Sequence, residues 1–347
     1  FRDADQKFEQ MPDDSPYARQ VSEQFGSKHH EIEISPDIVN LLPKMMWHLD
    51  EPLADPAAIN TYLISEAARR DGVKVLLNGM GADEVFGGYR KHLACLLANH
   101  YQAFVPPLIR RGIERIAHTI PAATSSKGIR TARWAKRFLN FASLPPDIRY
   151  LASSGDRPKD VEALLSGSRL GSRSYESLHF VRQQLPALNQ PQLSYLTRMC
   201  LTDTQFYMAD HNLLYSDKCT MAAGVEGRPP LIDHRIVELF FTVTPELRIN
   251  KRVQKHLFKH VASRHLPNNT VHRPKAPFGS PLRSWIRGPL KEMVSDYLSQ
   301  SQLRKRGLFD ERTVANKIRL DSCGVEDNAH LIWRLLCTEI WFQTNRL

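Results

Sequence analysis

The sequence predicts an α/β protein in which a parallel sheet layered with helices gives way to a mainly helical region. Three observations carry this reading. Val73-Lys74-Val75-Leu76-Leu77 is a short apolar run without strict alternation, as expected of a strand covered on both faces. The segments ahead of it switch between helical and extended spacing, and beyond about residue 90 apolar residues recur at helical intervals while strand signals become scarce. The expected boundaries are an α/β core over residues 1–90 and a mainly helical region over 91–347 that returns to pack against it.

Each element has a local reason. Residues 14–25 read as a helix capped by Asp14 or Ser15, with Pro16 at its start and Gly26 beyond its end. His30-Glu31-Ile32-Glu33-Ile34 alternates polar with apolar and predicts a strand, and residues 37–48 return to helical spacing. Asp55-Pro56 opens a further helix through Ile59, Leu63 and Ala67 to Gly72. Asp50, Glu51 and Asp55 either line a substrate entrance or cap that helix. Farther on, Pro121 to Gly128, Ser153 to Lys159 and Gly167 to Ser174 are loop-like, and Asn250 to Lys259 predicts a basic amphipathic helix with Lys251, Lys255 and Lys259 on one stripe.

Composition narrows the class of protein. At 347 residues with 42% hydrophobic and 24% charged residues, the chain can bury a core and gives no reason to expect disorder. Its longest apolar runs are far short of the roughly 20 residues a spanning helix needs, so no membrane partner is expected. The five cysteines include no Cys-x-x-Cys pair, His29-His30 lacks zinc spacing, and a reducing, cytoplasmic compartment is the expectation. A net charge of +10 favours anionic partners, nucleotides and nucleic acid alike, but no nucleic-acid recognition motif accompanies it.

The most informative segment is Asn78-Gly79-Met80-Gly81-Ala82-Asp83-Glu84-Val85-Phe86-Gly87-Gly88-Tyr89, which joins the strand to a helix. Gly79 and Gly81 allow close backbone approach or a positive φ, and free N–H groups there suit phosphate. The spacing is neither a dinucleotide fingerprint nor a Walker loop. Asp83 and Glu84 have two readings from pattern alone: they cap the helix, or they hold a magnesium ion against a polyphosphate.

This segment resembles the Ser-Gly-Glu-Gly-x-Asp-Glu-x-Phe-Gly-Gly-Tyr motif of the synthetase domain of the asparagine synthetase family. Two further stretches match in order: Met221-Ala222-Ala223-Gly224-Val225-Glu226-Gly227-Arg228-Pro229-Pro230-Leu231-Ile232-Asp233-His234, and Arg273-Pro274-Lys275-Ala276-Pro277-Phe278 with Trp285. The resemblance implies an ATP pyrophosphatase fold, that is, an adenine-nucleotide α-hydrolase-like parallel sheet. It also implies ATP and Mg2+ as cofactors, activation of a small-molecule carboxylate as an acyl-adenylate, and attack by ammonia or an amine to form an amide.

Residue by residue, the resemblance makes Asp83 the magnesium-holding aspartate and Lys255 the lysine that stabilises pyrophosphate or developing charge. Asn78, Gly79 and Gly81 become the turn that approaches the nucleotide, and Glu226 an organiser of the cleft. Met80 departs from the pattern, because ordinary asparagine synthetases carry glutamate there and a thioether can neither accept a proton nor pair a charge. The expectation is a less polar substrate or another base. Arg273 and Lys275 are either an anion site or a solvated turn.

The family's Ser-Gly-Gly-x-Asp-Ser phosphate loop would precede Phe1-Arg2-Asp3, as would its glutaminase domain. The expectation is an N-terminal portion that is cleaved, separately encoded or outside the sequence in hand, so that residues 1–90 hold only part of the core. A noncatalytic scaffold or a basic binding module is the competing reading.

Overall fold

The computed structural model describes residues 9, 13–33, 36–119, 135, 138–139, 141–154, 158–166, 185, 188, 190–273 and 278–346. The loop-like stretches at 121–128 and 167–174, and Lys275, lie outside the described residues, while the described ends of the expected loop at 153–159 belong to helices Pro146–Ser154 and Pro158–Leu165.

Helices dominate the described residues, which corrects the expected fold class. In place of a substantial parallel sheet there are two two-stranded sheets. β1 (Val75–Leu77) runs parallel to β2 (Glu226–Arg228), pairing Val75 with Glu226, Leu76 with Gly227 and Leu77 with Arg228. β3 (Ile249–Asn250) and β4 (Val253–Gln254) form an antiparallel hairpin. The physical reason is pairing: a strand persists only where its N–H and C=O groups meet a neighbouring ladder. The apolar run at 73–77 meets one in β2, extended at its ends by Glu226 N–H to Lys74 C=O at 2.8 Å and Asn78 N–H to Arg228 C=O at 3.0 Å. Residues 30–33 of the expected second strand meet none, and Ile34 is outside the described residues.

The chain divides into two compact units, each built from two stretches. The first comprises Phe1–Gly88 and Asp203–Pro281. Its helices include α1 (Ser15–Phe25), α2 (Ile38–His48), α3 (Ala57–Arg70), α4 (Ala82–Phe86), α5 (Leu214–Ala222), α6 (His234–Thr242) and α7 (His256–Ala262). Gly26 closes α1 at φ 59° as expected, but Asp14 at its N-cap makes no side-chain cap bond and pairs with Arg273 instead, while the Asp37 side chain accepts from Asn40 N–H to open α2. The Asp55 carboxylate accepts from Ala57 N–H at 2.8 Å just ahead of α3, whose N-cap is Pro56. The α3 helix packs along α5, and the buried side chains Leu42, Met45, Ile59, Phe86 and Cys219 belong to this unit's core. The Asp203–Leu213 stretch ahead of α5 is a π-helix.

The second unit comprises Tyr89–Thr202 and Leu282–Leu347. The helix Ala329–Thr344 runs through its core with Trp333, Leu336 and Cys337 buried. Arg149 is buried there too, its guanidinium donating to Leu144 and Cys95 carbonyls and to the Asn99 and Gln102 side chains.

One expected helix is corrected as well. Residues 250–255 form the β3–β4 hairpin and the lead-in to α7, with Lys251, Arg252 and Lys255 at φ 44°, 72° and 54°. Lys251, Lys255 and Lys259 therefore do not share a helical stripe.

Candidate active site

The turn after β1 is shaped by Asn78 and Gly81. The Asn78 side-chain oxygen accepts from Met80 N–H at 3.1 Å, an Asx turn that reverses the chain, while its amide donates to Ser216 Oγ at 3.5 Å. A Cβ added at Gly79 would meet no atom within 4 Å, so the backbone there faces open space. Gly81 sits at φ 89°, and a Cβ on it would collide with the Ile232 side chain. Gly81 is thus the residue that lets the turn lie against Leu231-Ile232 and start α4. Met80 is half-buried within the turn.

Asp83 and Lys255 come together. Lys255 Nζ lies 3.1 Å from Asp83 Oδ1, with both side chains about 25% exposed. The N-cap of α4 is Gly81, which has no side chain, and no side-chain cap bond forms. Instead Asp83 turns toward Lys255 and the buried Glu84 accepts from the Asn212 amide. Phe86 ties this turn to the helices beyond it, stacking on Phe258 of α7 at 4.7 Å and meeting Phe240 of α6 edge-on at 4.1 Å.

Glu226 pairs elsewhere, with Arg228. It is exposed on β2, 2.8 Å from its own neighbour Arg228, whose guanidinium holds the carboxyl below its ordinary range. Arg273 forms a two-pronged pair with Asp14 at 3.0 and 3.1 Å and lies over Tyr17.

A polar and aromatic cluster beside α4 went unread in the sequence. His211 stacks on Tyr207 with ring centres 4.6 Å apart, places Nε2 3.5 Å from Asp55 and places Nδ1 2.9 Å from the Asn212 side-chain oxygen. Burial first, then Asp55, Asp203, Glu84 and Asp83, push the Tyr207 hydroxyl well above its ordinary pKa. The i, i+4 recurrence of Tyr207, His211 and Tyr215 was the available signal, but the π-helix that carries the first two has no pattern of its own.

The residues fit a phosphate-borne magnesium ion better than a protein-built cage. Among the described residues no group of three or more His, Cys, Asp or Glu side chains is arranged to hold a metal. Magnesium commonly takes one or two carboxylates together with substrate phosphates and waters. Asp83 supplies one such carboxylate, which is paired with Lys255 here, and Mg2+ would have to share it with that ammonium.

A family profile described as Asparagine synthase matches residues 5–343. The chain belongs to the asparagine synthase family. It is 27% identical to Asparagine synthetase [glutamine-hydrolyzing] 1 of Bacillus subtilis, over 94% of this chain and 49% of that protein. It is 24% identical to Asparagine synthetase [glutamine-hydrolyzing] 3 of the same organism, over 97% of this chain and 49% of that protein. Amidase chry2 of Gibberella zeae is 21% identical over 86% of this chain and 46% of its own length. The chain thus spans about half the length of the curated relatives it matches. None of its described helices is long and apolar enough to cross a membrane.

Proposed function

We propose that this chain is the synthetase portion of an ATP-dependent amide-forming enzyme. A substrate carboxylate oxygen attacks the α-phosphorus of ATP, forming an acyl-adenylate as the bond to pyrophosphate breaks. Ammonia or an amine then attacks the acyl carbon, AMP leaves, and the nitrogen gives up a proton. The single observation that carries this reading is the 3.1 Å approach of Lys255 to Asp83 at the open end of the Gly79 turn.

In this reading Asp83 holds Mg2+, which when bound neutralises phosphate oxygens. Lys255 offers a point charge to the departing pyrophosphate, a task its compact ammonium suits and a guanidinium fork does not. Gly79 leaves room for the nucleotide, and Asn78 fixes the turn. Met80 supplies a thioether where a carboxylate would favour a charged substrate, so the substrate pocket is less polar beside it. The phosphate loop, and a glutaminase portion where glutamine is the nitrogen source, belong to polypeptide beyond this chain, in keeping with relatives of about twice its length.

The test is carboxylate-dependent exchange of pyrophosphate into ATP across a panel of carboxylic acids, with magnesium titrated. Asp83→Asn is expected to lower exchange by at least about a hundredfold. Exchange unchanged in the variant at every magnesium concentration sinks the assignment.

A further inference from the structure

Lys255 is reached from β4, and the residue just before it makes a contact no role has been given. Gln254 donates from Nε2 to the carbonyl of Gly88 at 3.0 Å. Gly88 in turn donates its N–H to the carbonyl of Asp83 at 2.8 Å. One backbone unit therefore joins the hairpin to the helix that carries Asp83. The same residue is the floor under the ion pair, since a Cβ on Gly88 would overlap the Asp83 carboxylate and lie 2.9 Å from Lys255 Cδ. Lys255 itself is held at φ 54°, a conformation that costs a non-glycine residue about 1–2 kcal/mol and persists only where its surroundings fix it. Ile249, paired with Gln254 across the hairpin, packs 3.3 Å from where a Cβ on Gly87 would stand.

We infer that Gln254 is a positioning residue: its bond to Gly88 clasps the β3–β4 hairpin to the end of α4 and thereby sets the Lys255 ammonium on Asp83. The clasp is a geometric claim about the protein alone, and only its consequence for turnover rests on the amide-forming reading.

The experiment separates the two. In the protein without ligands, lysines are acylated with a limiting amount of an N-hydroxysuccinimide ester and the modified sites are counted by peptide mass spectrometry. Gln254→Leu, which keeps the bulk and removes the donor, is expected to speed labelling of Lys255 about threefold or more while leaving Lys251, exposed on the same hairpin, unchanged. Gln254→Asn, too short to reach Gly88, is expected to do the same and serves where the leucine variant does not fold. An unchanged Lys255 rate, or an equal rise at Lys251 and Lys255, overturns the clasp. In pyrophosphate exchange, Gln254→Leu is expected to cost about tenfold in the wild-type background but under about twofold with Lys255→Met. Equal losses in both backgrounds also overturn it. A wild-type protein that exchanges no pyrophosphate yet shows the labelling change keeps the clasp and removes the reaction.

Discussion

Lys259 is a cation set among cations. It stands one turn beyond Lys255 on α7, and its ammonium is held below the ordinary lysine pKa first by burial, then by Lys255 and Arg273. A lysine whose folded pKa is depressed opposes folding while it is charged, and that opposition is relieved as pH rises from the depressed folded value toward about 10.4. Lys259→Met is therefore expected to raise the thermal midpoint at pH 7 by about 1–2 °C, a small effect because the side chain is partly solvated. The gap should close as pH climbs through that window, and paired thermal melts from pH 7 to 10.5 read it directly. Lys255 lies in none of the three matched segments, so its 3.1 Å approach to Asp83 was not legible from local motifs. Glu226 was legible only as a charge, because the nearest guanidinium to it is its own neighbour Arg228 and sequence spacing does not say which way such a pair faces.

The elements around the site were legible in proportion to how local their causes are. The C-terminal end of α1 and the strand-to-helix turn follow from Gly at fixed offsets, whereas the side-chain cap expected from Asp14 does not form. The β3–β4 hairpin was not legible, because its two-residue turn places Lys251 and Arg252 at positive φ where Asn-Gly or Asp-Gly is the usual signal. Nothing in a basic amphipathic stretch distinguishes that hairpin from a helix. Gly81 shows the opposite case, a glycine required twice over by its φ of 89° and by the Ile232 side chain beneath it. Gly81→Ala is expected to destabilise the protein by about 2–4 kcal/mol, combining left-handed strain with overpacking. Urea unfolding measures this. A loss under about 0.5 kcal/mol would mean that the turn moves freely off Ile232.

At the scale of the whole molecule, the sheet was the feature least legible in sequence. An apolar run specifies that a strand can form, whereas sheet size depends on partners distant in the chain. The parallel pair that does form raises a question of its own. Parallel strands are ordinarily covered on both faces, yet Val75 is 41% exposed and Leu77 72% exposed on β1. Glu226 and Arg228 lie exposed alongside them on β2. Relatives about twice as long as this chain offer the material for a cover. Leu77→Asp distinguishes a covered face from an open one by comparing two proteins. In the 347-residue chain by itself the substitution is at an exposed site and is expected to shift stability by no more than about 0.5 kcal/mol. In a longer protein carrying a segment that covers β1, it would bury an unpaired carboxylate and cost about 2 kcal/mol or more, read as a lowered denaturant midpoint with unchanged slope. Equal, small shifts in both proteins would establish that the β1 face stays in water.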